Sequence, residues 1–191
     1  MVRLAPPTGG WAGSPRMTHS PSPLEGSAAD RAAALTPENP YLSTERKPRL
    51  LIVGAGMMGR EHLRVSQLLG WADVQGIVDP DGGSLEWACA DWRLLTNAPL
   101  TIYRDLNEAC GDEAVDAIVI ATPNHTHRDV LHAVASSHKP VLLEKPMATT
   151  LADAMGIVNL ARDYPAVIQL GMQYRFKAQY VEALQAVAAQ S

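Results

Sequence analysis

A glycine-rich turn at residues 54–59 carries the most specific chemical pattern in the sequence. The apolar run 50–53 stops at Gly54, and the spacing Gly-x-Gly-x-x-Gly leads directly into a helical pattern. Gly54 allows a tight turn out of a strand, Gly56 has no Cβ to block an approaching pyrophosphate, and Gly59 allows close helix packing. The free N–H groups and the positive dipole end of the new helix attract a phosphate. The turn therefore predicts a dinucleotide-binding site.

A carboxylate stands where a bound ribose is expected. Asp79 ends the second apolar run, about 25 residues after Gly54. A carboxylate that accepts from both ribose hydroxyls repels a 2′-phosphate, and a like-charge contact at about 4 Å costs roughly 1–4 kcal/mol. No Arg or Lys directly follows Asp79, and Asp81 adds a second negative charge. The sequence predicts NAD in preference to NADP; the alternative is a simple turn aspartate before Pro80.

Polar side chains follow three later apolar runs, at the points where strands are predicted to end. In an open parallel sheet the carboxyl ends of the strands meet at one edge, and ligands bind beyond that edge. Three polar groups at successive strand ends predict a functional site there. The groups are Thr122-Pro123-Asn124-His125-Thr126-His127, Glu144-Lys145, and Gln173 with Arg175.

Strand and helix patterns alternate from Arg49 onwards. The run Ala117–Ala121 is continuously apolar, which is typical of a strand buried on both faces. The alternation predicts an α/β fold, a doubly wound parallel sheet with right-handed crossovers. The predicted strands are 49–53, 74–78, 101–103, 117–121, 141–143 and 166–170. The predicted helices are 57–69, 85–95, 128–137, 151–163 and 178–189, with a brief helix after Asp105.

Several side chains near these elements are predicted to have structural roles. Ser84, Asp105 and Thr150 stand where helix caps are expected. Trp87 and Trp92 are predicted to pack rather than to bind a cofactor, and His62 is predicted to be a packed or half-exposed helix residue. None of these positions adds to the predicted site.

The first 48 residues differ in composition from the rest of the chain. They hold more than half of the 14 prolines and few large aliphatic residues, which predicts a disordered leader. No apolar stretch of the kind found in a secretory signal follows Arg3. Met17 is an alternative start of the chain. The remainder has room for one domain of roughly 140 residues.

Composition argues against several partners. A formal charge of −4 gives no indication of binding to nucleic acid or to an anionic membrane, and no apolar run approaches the roughly 20 residues of a membrane span. The two cysteines, Cys89 and Cys110, show no metal-ligand spacing. Both are interpreted as buried thiols in a reducing compartment, which predicts a cytoplasmic protein. The oligomeric state is left open.

Four motifs together resemble one known family. From about Arg49 to Phe176 the chain is similar to the N-terminal half of the Gfo/Idh/MocA family of NAD(P)-dependent oxidoreductases. The distance between the Thr-Pro-x-x-x-His and Glu-Lys-Pro elements is the discriminating feature. The matching motifs are Gly54-Ala55-Gly56-Met57-Met58-Gly59, Val78-Asp79-Pro80, Ala121-Thr122-Pro123-Asn124-His125-Thr126-His127 and Glu144-Lys145-Pro146.

The resemblance assigns roles to the polar groups at the predicted edge. It implies that Thr122, Asn124 and His127 line the nicotinamide end and that Glu144 helps to bind the cofactor there. It implies that Lys145 faces the reacting carbon, bonds the substrate oxygen and joins the proton relay during hydride transfer. The substrate would be a sugar- or polyol-type alcohol or ketone. The resemblance also implies a cis bond between Lys145 and Pro146.

The sequence departs from the family in its length. Family enzymes continue into a second α/β domain that supplies most substrate contacts and the usual general base, whereas residues 177–191 read as a truncated helix leading to that absent domain. Full activity is therefore not expected from this chain. Three interpretations remain: a fragment or split product of an oxidoreductase, a non-catalytic NAD-binding sensor or regulator, and a decayed pseudoenzyme.

Overall fold

Six parallel strands form one sheet in the order β3-β2-β1-β4-β5-β6. The structure is a computed structural model, and it describes residues 46–188. The strands are β1 Arg49–Val53, β2 Asp73–Val78, β3 Thr101–Ile102, β4 Ala117–Ile120, β5 Val141–Leu143 and β6 Ile168–Leu170. The helices are α1 Met57–Leu69, α2 Gly82–Leu95, α3 Leu106–Gly111, α4 His127–Val134, α5 Leu151–Asp163 and α6 Ala178–Ala188. Short 3₁₀ turns cover Asn124–Thr126, Ala135–Ser137 and Gln173–Phe176.

The central strands are buried on both faces, and alternate residues enter two separate cores. In β1, Leu51 and Val53 pack into one core while Ile52 packs into the other. The first core includes side chains of α4 and α5, and the second includes side chains of α1 and α2. Because successive side chains of a strand point to opposite faces, this division shows that helices cover both faces of the sheet. The predicted doubly wound α/β fold is confirmed.

Most predicted elements are confirmed to within a residue or two, and the largest differences are at their ends. The helix predicted from Leu85 begins at Gly82, because Asp81 rather than Ser84 caps it: the Asp81 carboxylate accepts from the Ser84 N–H at 2.8 Å. The fourth strand ends at Ile120, and the helix after it ends at Val134. The caps predicted at Asp105 and Thr150 are confirmed, each accepting from a backbone N–H three residues on.

The two tryptophans of α2 differ in their environment. Trp92 is buried and donates from its indole to the carbonyl of Ala98 at 2.8 Å, as a packing residue should. Trp87 is 65% exposed, so the prediction that it packs is wrong. The guanidinium of Arg60 lies over its ring at 5.4 Å, which is a cation–π contact on the surface.

The ends of the chain carry predictions that the structure does not reach. The alternative start at Met17 and most of the predicted leader, residues 1–45, lie outside the described residues. Helix α6 is described as far as Ala188. Between residues 46 and 188, none of the helices combines the length and the apolar character needed to cross a membrane.

Asp116 joins the start of β4 to the start of β1. Its carboxylate accepts two hydrogen bonds from the guanidinium of Arg46, each at 2.8 Å. It also accepts from the backbone N–H of Arg49 at 2.8 Å and from its Nε at 3.2 Å. The Arg46 guanidinium, followed by that of Arg49, holds the pKa of the Asp116 carboxyl well below its usual range.

The low pKa of Asp116 predicts a specific acid sensitivity. Because the folded-state pKa is depressed, the stabilisation is present above the unfolded-state pKa of about 4 and is lost as the pH falls towards the folded-state value. Asp116→Asn should therefore lower the urea midpoint at pH 7, and its difference from the wild type should shrink below about pH 4. Urea unfolding of both proteins across this range measures the difference. A difference that stays constant with pH would contradict the assignment.

Candidate functional site

The glycine-rich turn has the geometry that its sequence predicts. Gly54 has a φ of +102°, which side-chain-bearing residues rarely adopt, and an added Cβ would lie 2.7 Å from the carbonyl oxygen of Ala121. An added Cβ on Gly59 would collide with the carbonyl oxygen of Gly54. Gly59 therefore allows α1 to lie directly against the turn that precedes it, and Gly54 allows that turn to lie against the end of β4.

The start of α1 is open to an anion. Gly56 is exposed, and a Cβ built on it meets no atom of the described residues within 4 Å. Gly56 also precedes the helix without capping it through a side chain, so within residues 46–188 the first N–H groups of α1 have no side-chain acceptor. A helix start with free N–H groups and no side chain in front of it is suited to a phosphate.

A cleft of about 770 Å³ extends from this turn across the carboxyl edge of the sheet. Its volume lies within the range of small-molecule and cofactor sites. Six of the residues predicted to bind cofactor line it: Gly54, Gly56, Met57, Met58, Asp79 and Thr122. The cleft is the feature that brings the glycine turn and the later strand ends together.

Asp79 lies at the end of β2, on the wall of this cleft. Its Oδ2 accepts from the backbone N–H of Ala55 at 2.6 Å, and its Oδ1 accepts from that of Asp81 at 2.8 Å. A carboxylate has about four lone-pair sites, so these two bonds leave acceptor capacity for ribose hydroxyls. The sequence predicted the position of Asp79 but not its hydrogen bond to the backbone of the glycine turn.

Two residues of the Thr-Pro-x-x-x-His element lie elsewhere. Asn124 is exposed in the 3₁₀ turn before α4 and does not line the cleft. His127 is fully buried and does not line the large cleft, so its place along the nicotinamide end stays a prediction. Its two ring nitrogens face the carbonyl oxygens of Thr122 and Pro146 at 3.0 and 3.1 Å. The burial follows from its place as the first residue of α4, where its side chain lies beneath both turns.

Glu144 is buried directly after β5, and its carboxylate contacts α1 and the backbone of the next residue. Oε1 lies 2.9 Å from Nε2 of His62 on α1, and Oε2 accepts from the backbone N–H of Lys145 at 3.0 Å. Because a carboxylate only accepts, the imidazole nitrogen donates. His62, predicted to be packed or half-exposed, therefore helps to hold the Glu144–Lys145 turn. Glu144 itself does not line the large cleft.

Lys145 is exposed and lies in a second cleft of about 340 Å³ with Gln173 and Arg175. The two later residues were expected at this edge of the sheet, and the shared cleft agrees with that. The Lys145–Pro146 peptide bond is cis, as the resemblance implied. Among the described residues, the glycine turn and the lysine thus lie in separate clefts, and Glu144 lines a third, of about 300 Å³, with His62 and Gln173.

Sequence reasoning missed part of the cleft wall. Arg104, Asp105 and Leu106 line it, and they come after β3. The same strand-end argument that selected Thr122 and Glu144 applies to this position. Strand β3 has only two residues, and so short an apolar run is a weak signal for the end of a strand.

The fold and the cleft define a class of protein. A parallel sheet in the order 3-2-1-4-5-6, with a Gly-x-Gly-x-x-Gly turn after β1 and an acid at the end of β2, is a Rossmann-type dinucleotide-binding domain. Residues 48–172 match the model of a family described as an oxidoreductase family with an NAD-binding Rossmann fold. The chain belongs to this family, Gfo/Idh/MocA, and the resemblance seen in the motifs is confirmed.

Curated relatives are similar over the same region. The chain is 34% identical over 146 residues to inositol 2-dehydrogenase 1 of Saccharopolyspora erythraea, covering 75% of this chain and 42% of the relative. It is 31% identical over 129 residues to the rhizopine catabolism protein MocA of Rhizobium meliloti, covering 67% and 38%. The chain spans about two fifths of the length of these relatives.

Solved structures show the same extent of similarity. Myo-inositol dehydrogenase of Lactobacillus casei, in complex with NAD(H) and myo-inositol, has a TM-score of 0.64 and 26% identity, covering 76% of this chain and 42% of that one. The WlbA dehydrogenase of Bordetella pertussis, in complex with NADH and UDP-GlcNAcA, has a TM-score of 0.65 and 26% identity, covering 75% and 42%.

Proposed function

We propose that this chain binds NAD in the large cleft and is the cofactor half of an oxidoreductase that acts on a sugar- or polyol-type alcohol or ketone. One observation carries the binding proposal. In the part of the chain that the structure describes, the start of α1 has no side-chain cap and no atom in front of Gly56, and it opens into a cleft with a carboxylate on its wall. A dinucleotide presents a pyrophosphate and a ribose diol, which match these two features.

The residues of the cleft fit the cofactor in detail. The pyrophosphate would lie at the N–H groups that follow Gly56, where no Cβ intrudes. The ribose hydroxyls would donate to Asp79, whose carboxylate is already fixed by two backbone bonds. Thr122 lines the same cleft and would approach the nicotinamide end. Gly59 contributes by packing rather than by contact.

The lysine cleft would hold the substrate. When bound, NAD supplies a hydride acceptor for the carbinol carbon of an alcohol. That alcohol must also lose a proton, and Lys145 would bond its oxygen and join the proton relay. Glu144 would keep the Lys145 backbone in place through the bond at 3.0 Å. Because Lys145 is exposed, exclusion of water would have to come from beyond this cleft.

The domain division and the cellular setting belong to the same proposal. Residues 49–176 form the dinucleotide-binding domain, and residues 177–191 lead towards a substrate domain of the kind that the longer relatives have room for. Relatives named inositol 2-dehydrogenase support a polyol substrate. Both cysteines are free, which favours a reducing compartment such as the cytoplasm.

The proposal predicts a clear cofactor preference. NADH should bind the purified chain more tightly than NADPH, because a 2′-phosphate near Asp79 and Asp81 meets two negative charges. A cost of about 1–4 kcal/mol corresponds to roughly five-fold to several hundred-fold in affinity. Calorimetric titration of one protein sample with each cofactor measures the ratio.

The outcomes separate the candidate functions. Equal or tighter binding of NADPH would overturn the preference, and no binding of either cofactor by the folded chain would overturn the NAD proposal itself. NADH binding together with NAD⁺-dependent oxidation of myo-inositol would show that this chain is catalytically active by itself. NADH binding without turnover is expected both of the cofactor half of an enzyme and of a sensor. Adding a separately produced second domain of a relative distinguishes the two. Turnover should appear only if the chain is the cofactor half of an enzyme.

A further inference from the structure

The ring of His127 connects the two turns that border the site. It is fully buried at the start of α4. Its Nε2 lies 3.0 Å from the carbonyl oxygen of Thr122, in the turn after β4. Its Nδ1 lies 3.1 Å from the carbonyl oxygen of Pro146 and 3.3 Å from that of Met147, in the turn after β5. One side chain thus contacts the backbone of both turns.

These contacts require the ring to donate. Carbonyl oxygens only accept, so each short contact is a hydrogen bond only if the facing nitrogen carries a proton. A neutral imidazole donates from one nitrogen, and an imidazolium donates from both. The ring therefore holds at least one turn in either form, and both turns when doubly protonated.

We propose that His127 is a positioning residue that fixes the Thr122 wall of the large cleft relative to the Lys145 turn. Thr122 lines that cleft, and Pro146 directly follows Lys145. The ring is fully buried and lines neither of these two clefts, so it acts through the backbone of the two turns. The link between the two turns rests on the contacts of His127 alone. Its importance for binding cofactor and substrate rests on the proposed function.

Substitutions at this position separate the two contacts. An asparagine places an amide nitrogen near the position of Nδ1, and a glutamine places one near that of Nε2. His127→Asn therefore offers a donor to Pro146 and none to Thr122, whereas His127→Gln does the reverse. His127→Phe retains a buried ring and offers a donor to neither turn. His132→Gln, at an exposed position of the same helix, is the matched control.

Two measurements on the full chain read the two turns independently. Amide signals in ¹⁵N–¹H spectra report the Thr122 turn and the Lys145–Met147 turn, and calorimetry reports NADH affinity. His127→Asn should shift the Thr122 turn most and weaken NADH binding about tenfold. His127→Gln should shift the Lys145–Met147 turn most and keep NADH affinity within about twofold. The phenylalanine variant should disturb both turns, and the control neither.

The result that overturns the proposal is equally specific. Identical spectral changes in the asparagine and glutamine variants, or undisturbed turns in the phenylalanine variant, would show that the ring does not position the two turns separately. If the variants do not fold, the wild type decides: a slowly exchanging ring N–H of His127 supports the contacts, and exchange as fast as that of His132 refutes them. Failure of the wild type to bind NADH would overturn only the proposed function, because the amide signals still report both turns.

Discussion

A chain in which Gly56 is replaced by alanine is expected to fold as stably as the wild type and to lose most of its affinity for NADH. The added Cβ meets no atom of residues 46–188 within 4 Å, and Gly56 has an ordinary φ of −67°. Alanine makes the unfolded chain less flexible than glycine does, which stabilises the folded state, but it is a poorer helix cap, which destabilises it. The two effects offset each other, so the free energy of unfolding should change by less than about 0.5 kcal/mol. The methyl group would instead stand where the pyrophosphate approaches the start of α1.

Gly59→Ala provides the contrast. Here the added Cβ collides with the backbone carbonyl of Gly54, which cannot move aside as a flexible side chain could. We expect a loss of about 1–3 kcal/mol or more in the free energy of unfolding. Urea unfolding and NADH titration of both variants separate the roles of these glycines. Unchanged NADH affinity in a well-folded Gly56→Ala chain would contradict the proposed pyrophosphate position.

Replacing Asp79 should change both the affinity for NADH and the preference over NADPH. Asp79→Asn retains the size of the side chain and one acceptor for the backbone of Ala55, but it removes the negative charge. Hydrogen bonds to a charged group contribute about 1.5–3 kcal/mol each, so NADH affinity should fall about tenfold to a hundredfold. NADPH affinity should fall less, because the repulsion of its 2′-phosphate is relieved in part. Calorimetric titration with both cofactors measures the two changes.

Two further variants make the test of Asp79 specific. Asp79→Ala removes both backbone bonds as well and should weaken NADH further, because the glycine turn loses the bond to Ala55 at 2.6 Å. Asp163→Asn removes the same charge at the exposed end of α5, far from Asp79 in the sequence, and should leave both affinities unchanged. If the ratio of the two affinities is the same in the wild type and in Asp79→Asn, Asp79 does not select the cofactor.

The fold could be predicted from the sequence because the patterns that specify its strands, helices and turns are local. Apolar runs, glycine turns and capping residues each act within a few residues, and β1, α1, β5 and α5 have the predicted bounds. The glycine turn was equally legible, since the steric demands at Gly54 and Gly59 arise from the turn itself and the strand beside it. The cis Lys145–Pro146 bond was expected through the family resemblance alone.

The side-chain partners within the site could not be read in this way. His62 and Glu144 are 82 residues apart, and His127 and Pro146 are 19 apart. No periodic pattern records such a pairing, because it depends on how α1 and α4 pack against the strand ends. The resemblance assigned His127 to the cofactor, and neither its burial nor its contacts with the two turns could be read from the sequence.

The start of α2 shows how a local pattern can also mislead. Ser84 is a good cap residue, and glycines such as the two before it are poor helix formers. Asp81 is a competing cap three residues earlier, and its bond to the Ser84 N–H allows the glycines to form the first helical turn. In that turn the N–H groups have no intrahelical acceptor anyway, so the helical preference of the residues matters less than the cap.

The carboxylate of Glu144 restricts how this chain can be recombined with its relatives. It bonds His62 on one side and the backbone of Lys145 on the other, so a crossover between residues 62 and 144 exchanges one partner without the other. A relative without histidine at the first position would leave a buried carboxylate oxygen lacking a donor, at a cost of about 1–3 kcal/mol or more. Chimeras joined before His62 or after Pro146 keep the pair intact. A stable chimera is thus expected to take helix α1 and the lysine turn from the same parent.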